Sequence, residues 1–425
     1  MEKFKEYNNG LKLVVKQMPQ VGSVAMGIIV GVGSCLETPE TNGYSHMVEH
    51  MLFKGTSTRS ARQISEKLDE LGGNFNAFTG KESTCFYGKV LQDKVEDAAE
   101  LLSDIFFNAT FNKEELDRER KVITEEIFMD EDMPEDVCHD LVAAAFYGNQ
   151  TLGYKVIGTA KNVETAQNSD LLNFKRKYYV SNNTCISFAG AIDFETAEKI
   201  VKKYFLDNFG DERLDFKVAD IKRFAPISRF DYKFKDVEQA HVAIAFESLS
   251  TGDDRLIPFK VGNIALGGGM SSRLFLSIRE QNGLAYSVYS SLLSYVNNGY
   301  LELYLGTSPK NVKKAVDLLM EDIDSFVKHG FEGSEIERAK TQLKTSLVFG
   351  CENPLTLMIS YGMRYLYFNE SFAVDEYIAS VDNVTADAAT EAFSNSFDFS
   401  RCSAVYVGKE CNNFNEPERF LKNKS

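Results

Sequence analysis

His46-Met47-Val48-Glu49-His50 is the stretch on which the fold of this chain is read. On a helix, residues four apart share a face, so the two imidazoles point the same way. Glu49 lies between them in sequence, placed to act on a water held at the rings without becoming a ligand. Two imidazoles with a flanking carboxylate suit Zn²⁺ and hydrolysis by a metal-activated water. The chain has five histidines in 425 residues. Two of them fall inside this pentapeptide, a concentration that chance placement rarely gives.

A tetrahedral zinc that keeps one position open needs a third protein ligand. The helix expected over 113–131 is the best source, with Asn112 and Glu115 forming a capping pattern at its start. Glu119 and Glu126 lie two turns apart on it and are expected to share a face with Val122 and Ile123. Carboxylates on an apolar face are costly to bury unless a cation or donors meet them, so both are candidates. Glu114, Asp117 and Glu125 read as solvated.

The sequence repeats itself at a spacing near 218 residues. Ser23 to Ile28 resembles His241 to Phe246, Val95 to Leu102 resembles Val312 to Leu319, and Phe111-x4-Leu116-x-Arg118-x-x-Lys121 resembles Phe331-x4-Ile336-x-Arg338, which continues to Gln342-Leu343. Two halves follow, 1–212 and 230–425, with a linker over 213–229 that mixes charges and carries Pro226. Each half opens with strands, continues with a helix, a strand pair and two long helices, and closes on a strand. That order predicts an α+β fold of two homologous lobes, each a mostly antiparallel sheet packed with helices. At the repeat offset the metal candidates fall on or near Ile264, Gly267, Gly268, Ala339 and Ser346. The second half therefore keeps the helical frame and loses every proposed ligand. The run Gly267 to Gly269 reads as a helix terminus.

A net charge of −15 disfavours nucleic acid and anionic membranes as partners. The longest apolar run, Val24 to Val32, reads as a buried strand and is too short to span a bilayer. Seven scattered cysteines without a C-x-x-C pair suit reduced thiols. With no secretory or transit signature at the start, the expected compartment is the cytoplasm. No P-loop or dinucleotide glycine pattern is present.

The chain resembles the pitrilysin family of zinc peptidases. The resemblance rests on His46-x-x-Glu49-His50, its flanks Gly43-x-Ser45 and Met51 to Thr56, and the pair Glu119-x6-Glu126. Its roughly 400-residue members, similar to the processing-peptidase β subunit and its bacterial relatives, fit best. The resemblance implies one zinc per chain, held by His46, His50 and Glu126, with Glu49 as general base and Glu119 as an outer carboxylate near His50. It implies that Arg279 and Tyr286, within Arg279-Glu280-x-x-Gly283-Leu284-Ala285-Tyr286, help hold substrate and the developing oxyanion. It also implies that Asn76, Ala77, Phe78 and Thr79 lie on an edge strand where an extended peptide docks. Short, extended or unfolded peptides are the implied substrates. The acidic run from Glu125 to Asp136 is either a solvated helix end or a subsite for basic residues. Members of this length form half of a clam-like chamber, which implies a dimer, with a homodimer favoured. Some relatives are non-catalytic structural subunits. They typically lose zinc or base residues, and this chain has the full set.

Overall fold

A computed structural model of the chain describes residues 2–148, 151–221 and 229–424. They divide into two compact units that are not continuous in sequence. The first comprises Met1–Ile127, Lys155–Ile221 and Phe349–Phe372, and the second Phe128–Tyr154, Lys222–Val348 and Ala373–Ser425. The halves expected at 1–212 and 230–425 are thus not the compact bodies. Each body borrows a stretch from the other half, for the packing reason given below. Of the expected linker 213–229, residues 222–228 lie outside the described residues.

The first unit holds a six-stranded sheet of β1 (Glu2–Glu6), β2 (Lys12–Gln17), β3 (Ser23–Val30), β4 (Asn74–Thr79), β5 (Thr84–Leu91) and β6 (Thr184–Gly190), in the order β1-β2-β6-β3-β5-β4. The second holds β7 (Phe230–Phe234), β8 (Ala240–Glu247), β9 (Ala285–Ser294), β10 (Gly299–Thr307) and β11 (Ser403–Gly408), in the order β7-β11-β8-β10-β9. Strand for strand, the second order is that of β2-β6-β3-β5-β4. β2 runs parallel to β6 and β7 parallel to β11, and every other pairing is antiparallel. The internal repeat is therefore a repeat of topology. Among the described residues β1 has no counterpart in the second sheet.

The helices that bear on the site are α1 (Tyr44–Leu52), α2 (Val95–Asn108), α3 (Lys113–Asp132), α4 (Pro134–Tyr147), α5 (Leu256–Gly267), α6 (Val312–His329), α7 (Gly333–Glu352) and α8 (Pro354–Phe368). β3 is apolar along its length because both its faces are covered. Val24, Met26, Ile28 and Val30 point into a core shared with Met47, Val48 and Met51 of α1 and Leu101, Leu102 and Ile105 of α2. Ala25 and Ile29 point the other way, against Leu357, Met358 and Tyr361 of α8. Burying each such side chain contributes about 1.5–3 kcal/mol.

α8 and α4 explain the discontinuous units. Both begin with proline at the first helical position, and Pro134 and Pro354 stand at the repeat spacing. Each packs on the sheet of the other half. α8 lies on β2, β3 and β6, where Met358 O accepts from Ser187 Oγ at 2.6 Å and Lys12 Nζ donates to Tyr365 O at 2.9 Å. α4 lies on β8 and β11, where Ser403 Oγ donates to Ala145 O at 3.2 Å. The duplicated halves have exchanged equivalent helices.

Three local expectations change. Asn112 Oδ1 accepts from the Glu114 N–H at 2.8 Å, but Glu115 pairs with Arg118 instead of completing a capping box. Val122 is exposed, at 45%, because only Leu116, Glu119, Ile123 and Ile127 of α3 face inward. The terminal strand β1 was not expected and pairs with β2. α5 ends at Gly267, as the glycine run predicts.

Candidate metal centre

The site lies wholly in the first unit. α1 buries Met47, Val48 and Met51 and turns His46, Glu49 and His50 away from the core. Its N-terminus needs a left-handed residue, and Gly43, at φ 103°, supplies it without a side chain to cap the helix. The cap comes from Glu37, a buried carboxylate. Its Oε1 accepts from the Ser45 N–H at 2.7 Å, and its Oε2 accepts from the Gly43 N–H at 2.8 Å and Asn42 Nδ2 at 2.9 Å. A negative charge there also complements the helix dipole.

α3 brings Glu126 to the two imidazoles. Glu126 Oε2 lies 3.5 Å from His50 Nε2 and 3.9 Å from His46 Nε2. One donor atom from each of the three residues falls within 4.8 Å of the others, and no other such group occurs among the described residues. Donors around a tetrahedral zinc, each about 2.0–2.1 Å from it, stand roughly 3.3 Å apart. The two nitrogens and one oxygen fit that ion with small side-chain movements.

Glu119, two helical turns further back, is 5% exposed. Its Oε2 lies 3.0 Å from His50 Nδ1, and its Oε1 takes an ion pair from Lys54 Nζ at 2.9 Å. The Nδ1–H donates to Glu119, which leaves the Nε2 lone pair directed at Glu126 and any metal. His46 has no such partner: its Nδ1 is buried and without a hydrogen bond. Electrostatics follow these contacts. Burial, aided by the neighbouring His50, pushes the His46 pKa down to about 4, so this imidazole is neutral at pH 7, as ligation requires. Burial also lowers that of His50, but the Glu119 hydrogen bond and nearby carboxylates outweigh it and raise the net value. Burial raises Glu119, yet the His50 and Lys54 contacts hold it below the usual range. Glu49 is raised by burial, with its hydrogen bond from Thr79 opposing.

The profile described as "Insulinase (Peptidase family M16)" matches residues 12–160, and "Peptidase M16 inactive domain" matches residues 165–343. An uncharacterized zinc protease of Bacillus subtilis is 39% identical over 89% of this chain and 91% of its own. The chain belongs to peptidase family M16. Another uncharacterized zinc protease, from Rickettsia bellii, is 34% identical to this M16 chain over 93% of it and 95% of its own length. Among solved structures, a peptidase M16 inactive domain from Pseudomonas fluorescens superposes with a TM-score of 0.90 at 19% identity, covering 97% of this chain and 98% of that one. A protease from Helicobacter pylori superposes at 0.86 and 18% identity, covering 96% and 99%. These two establish the two-lobed fold alone.

In this M16 chain Asn76, Ala77, Phe78 and Thr79 lie on β4, the edge strand of the first sheet, which among the described residues pairs only with β5. Thr79 does more than line the edge. Its Oγ1 donates to Glu49 Oε2 at 2.5 Å, joining the acidic residue of α1 to the strand. Neither that bond nor the roles of Glu37 and Lys54 are legible in the sequence. Periodicity exposes neighbours on one helix, and these partners come from elsewhere. Arg279 and Tyr286 meet in the second unit. Arg279 lies in the last turn of a short π-helical segment, Phe275–Gln281, and its Cζ sits 4.8 Å from the Phe275 ring and 5.2 Å from the Tyr286 ring. Tyr286 is the second residue of β9 and is 71% exposed. Part of the acidic run is engaged within its own unit: Glu135 accepts from Tyr289 at 2.8 Å, and Glu131 is paired with Lys233 at 4.0 Å. No described helix is long and apolar enough to cross a membrane.

Proposed function

We propose that this chain is a zinc-dependent endopeptidase acting on short, extended peptides. The convergence of His46, His50 and Glu126 on one point, with Glu49 on the same face of α1, carries this reading. Zinc bound there would supply a water of pKa near 7 and polarise the scissile carbonyl. The chain's residues do the rest. Glu49 Oε1, the oxygen not engaged by Thr79, receives the proton of the attacking water and returns it to the departing amine. Glu119 keeps the His50 ring in one tautomer and orientation through both steps. The open edge of β4 pairs with the substrate backbone, which favours extended peptides of varied sequence. Arg279 and Tyr286 serve as a donor pair for substrate. A net charge of −15 favours basic peptides over acidic ones.

Hydrolysis of internally quenched peptides, read alongside zinc content, tests this. Wild type is expected to cleave. Glu49→Gln should retain zinc and lose about 10²–10⁴-fold in turnover, and His50→Ala should lose both. Undiminished turnover in Glu49→Gln would overturn the assignment, and equal cleavage of acidic and basic series would remove the charge preference.

A further inference from the structure

β4 and β5 are joined by the turn 80–83, in which the Gly80 N–H donates to Ser83 O at 2.8 Å. Antiparallel pairs alternate between hydrogen-bonded and non-hydrogen-bonded, so the next pair along, Thr79 with Thr84, is non-hydrogen-bonded. The N–H and C=O of Thr79 therefore point away from β5, toward the edge that no described strand covers. By the two-residue period those of Ala77 and Phe75 do the same. The Ala77 N–H agrees with this phase, since it is met by a side chain, Asn76 Oδ1, at 2.8 Å. A peptide added to this edge takes its backbone hydrogen bonds from alternate residues of β4, and Thr79 is the last of them.

The side chains of the same three residues share one face of the strand. Phe75 and Ala77 pack on the core that α1 joins, and the Thr79 hydroxyl donates to Glu49 Oε2 on α1 at 2.5 Å. Thr79 thus turns its backbone to the docking edge and its hydroxyl to the base.

The chain is clamped just beyond it. The Ser34 and Cys35 N–H groups donate to Gly80 O and Lys81 O at 3.3 and 2.8 Å, and the Tyr367 hydroxyl donates to Glu82 O at 2.7 Å. Branching at Cβ restricts χ1 of threonine, so the hydroxyl is fixed with the strand. Glu49 has a longer, freer side chain, and the bond ties it to that fixed point. We propose that Thr79 is a positioning residue that locks Glu49 into the frame of the docked peptide. One strand then sets both the place of the scissile bond and the place of the base. The inference rests on the proteolytic reading and adds to it the residue that holds the base still.

The zinc-loaded full chain and quenched peptides test it. Thr79→Val keeps the branched shape and removes the donor. It should lower kcat roughly 10–100-fold, with KM and zinc content close to wild type. Thr79→Ser, which keeps the hydroxyl, should recover most of the loss. A second readout needs neither metal nor turnover. In urea unfolding of the metal-free chain, Thr79→Val should lower the midpoint when Glu49 is present and leave it unchanged in a Glu49→Ala background. An active wild type whose Thr79→Val variant has the same kcat overturns this proposal alone. So does a loss carried by KM, a loss that Thr79→Ser does not restore, or equal unfolding shifts in the two backgrounds. A wild type that cleaves nothing overturns the proteolytic reading, and this proposal with it.

Discussion

The Glu37 carboxylate accepts a hydrogen bond from the Ser45 N–H at 2.7 Å, and so fixes the first turn of the helix that carries His46, Glu49 and His50. Asn42 extends the anchor, donating to Glu37 and to Lys155 O, while Asn162 donates to Asn42 O. Removing Glu37 orphans two buried peptide N–H groups. Glu37→Ala should cost about 2–4 kcal/mol in stability. Glu37→Gln, which offers an amide where two donors need acceptors, should weaken zinc binding roughly 10–100-fold. Chelator competition measures the second effect. Unchanged zinc affinity in a folded Glu37→Gln protein would mean that the cap does not position the ligands.

His50 and Glu119 make a second prediction. Glu119→Gln removes the carboxylate that holds the His50 Nδ1–H and leaves Lys54 without its pair. Zinc affinity should fall about 10–100-fold. His46 has no equivalent support, so the loss should fall on the His50 side of the site. Isothermal titration with zinc reads the change, and an affinity equal to wild type would contradict it.

In the second unit His139 Nδ1 contacts Glu302 Oε1 at 2.6 Å. Burial lowers the His139 pKa, but the Glu302 hydrogen bond and the charges of Glu302 and Glu135 outweigh it and the value is raised. A raised folded-state value means that protonation stabilises the fold. That contribution is complete below the unfolded value of about 6.5 and disappears as pH rises through the folded value. Thermal melting across neutral pH should show a stability decline that Glu302→Gln flattens. An identical pH slope in the two proteins would exclude this pair as its source.

Gly362 lets α8 lie close on the first sheet. A Cβ there would stand 2.1 Å from Ile29 Cδ1 and 3.0 Å from Ser187 Cβ. Gly362→Ala should therefore destabilise the protein by about 1–3 kcal/mol. Denaturant unfolding measures it, and a neutral result would show that the sheet surface yields at this point.

Two kinds of information separate in this molecule. The face shared by His46, Glu49 and His50 follows from helical geometry over one turn, and strand and helix positions follow from apolar periodicity, so both are legible in the sequence. The repeat spacing likewise announces two sheets of one topology. By contrast, which face of α3 turns inward, the bonds from Glu37 to Ser45 and from Thr79 to Glu49, and the exchange of α4 and α8 between halves were decided by tertiary packing. The two bonds join residues 8 and 30 apart in the chain, beyond the reach of a single helical turn. Local propensity is the same whichever sheet a helix covers, and only the competition among complete packings selects one.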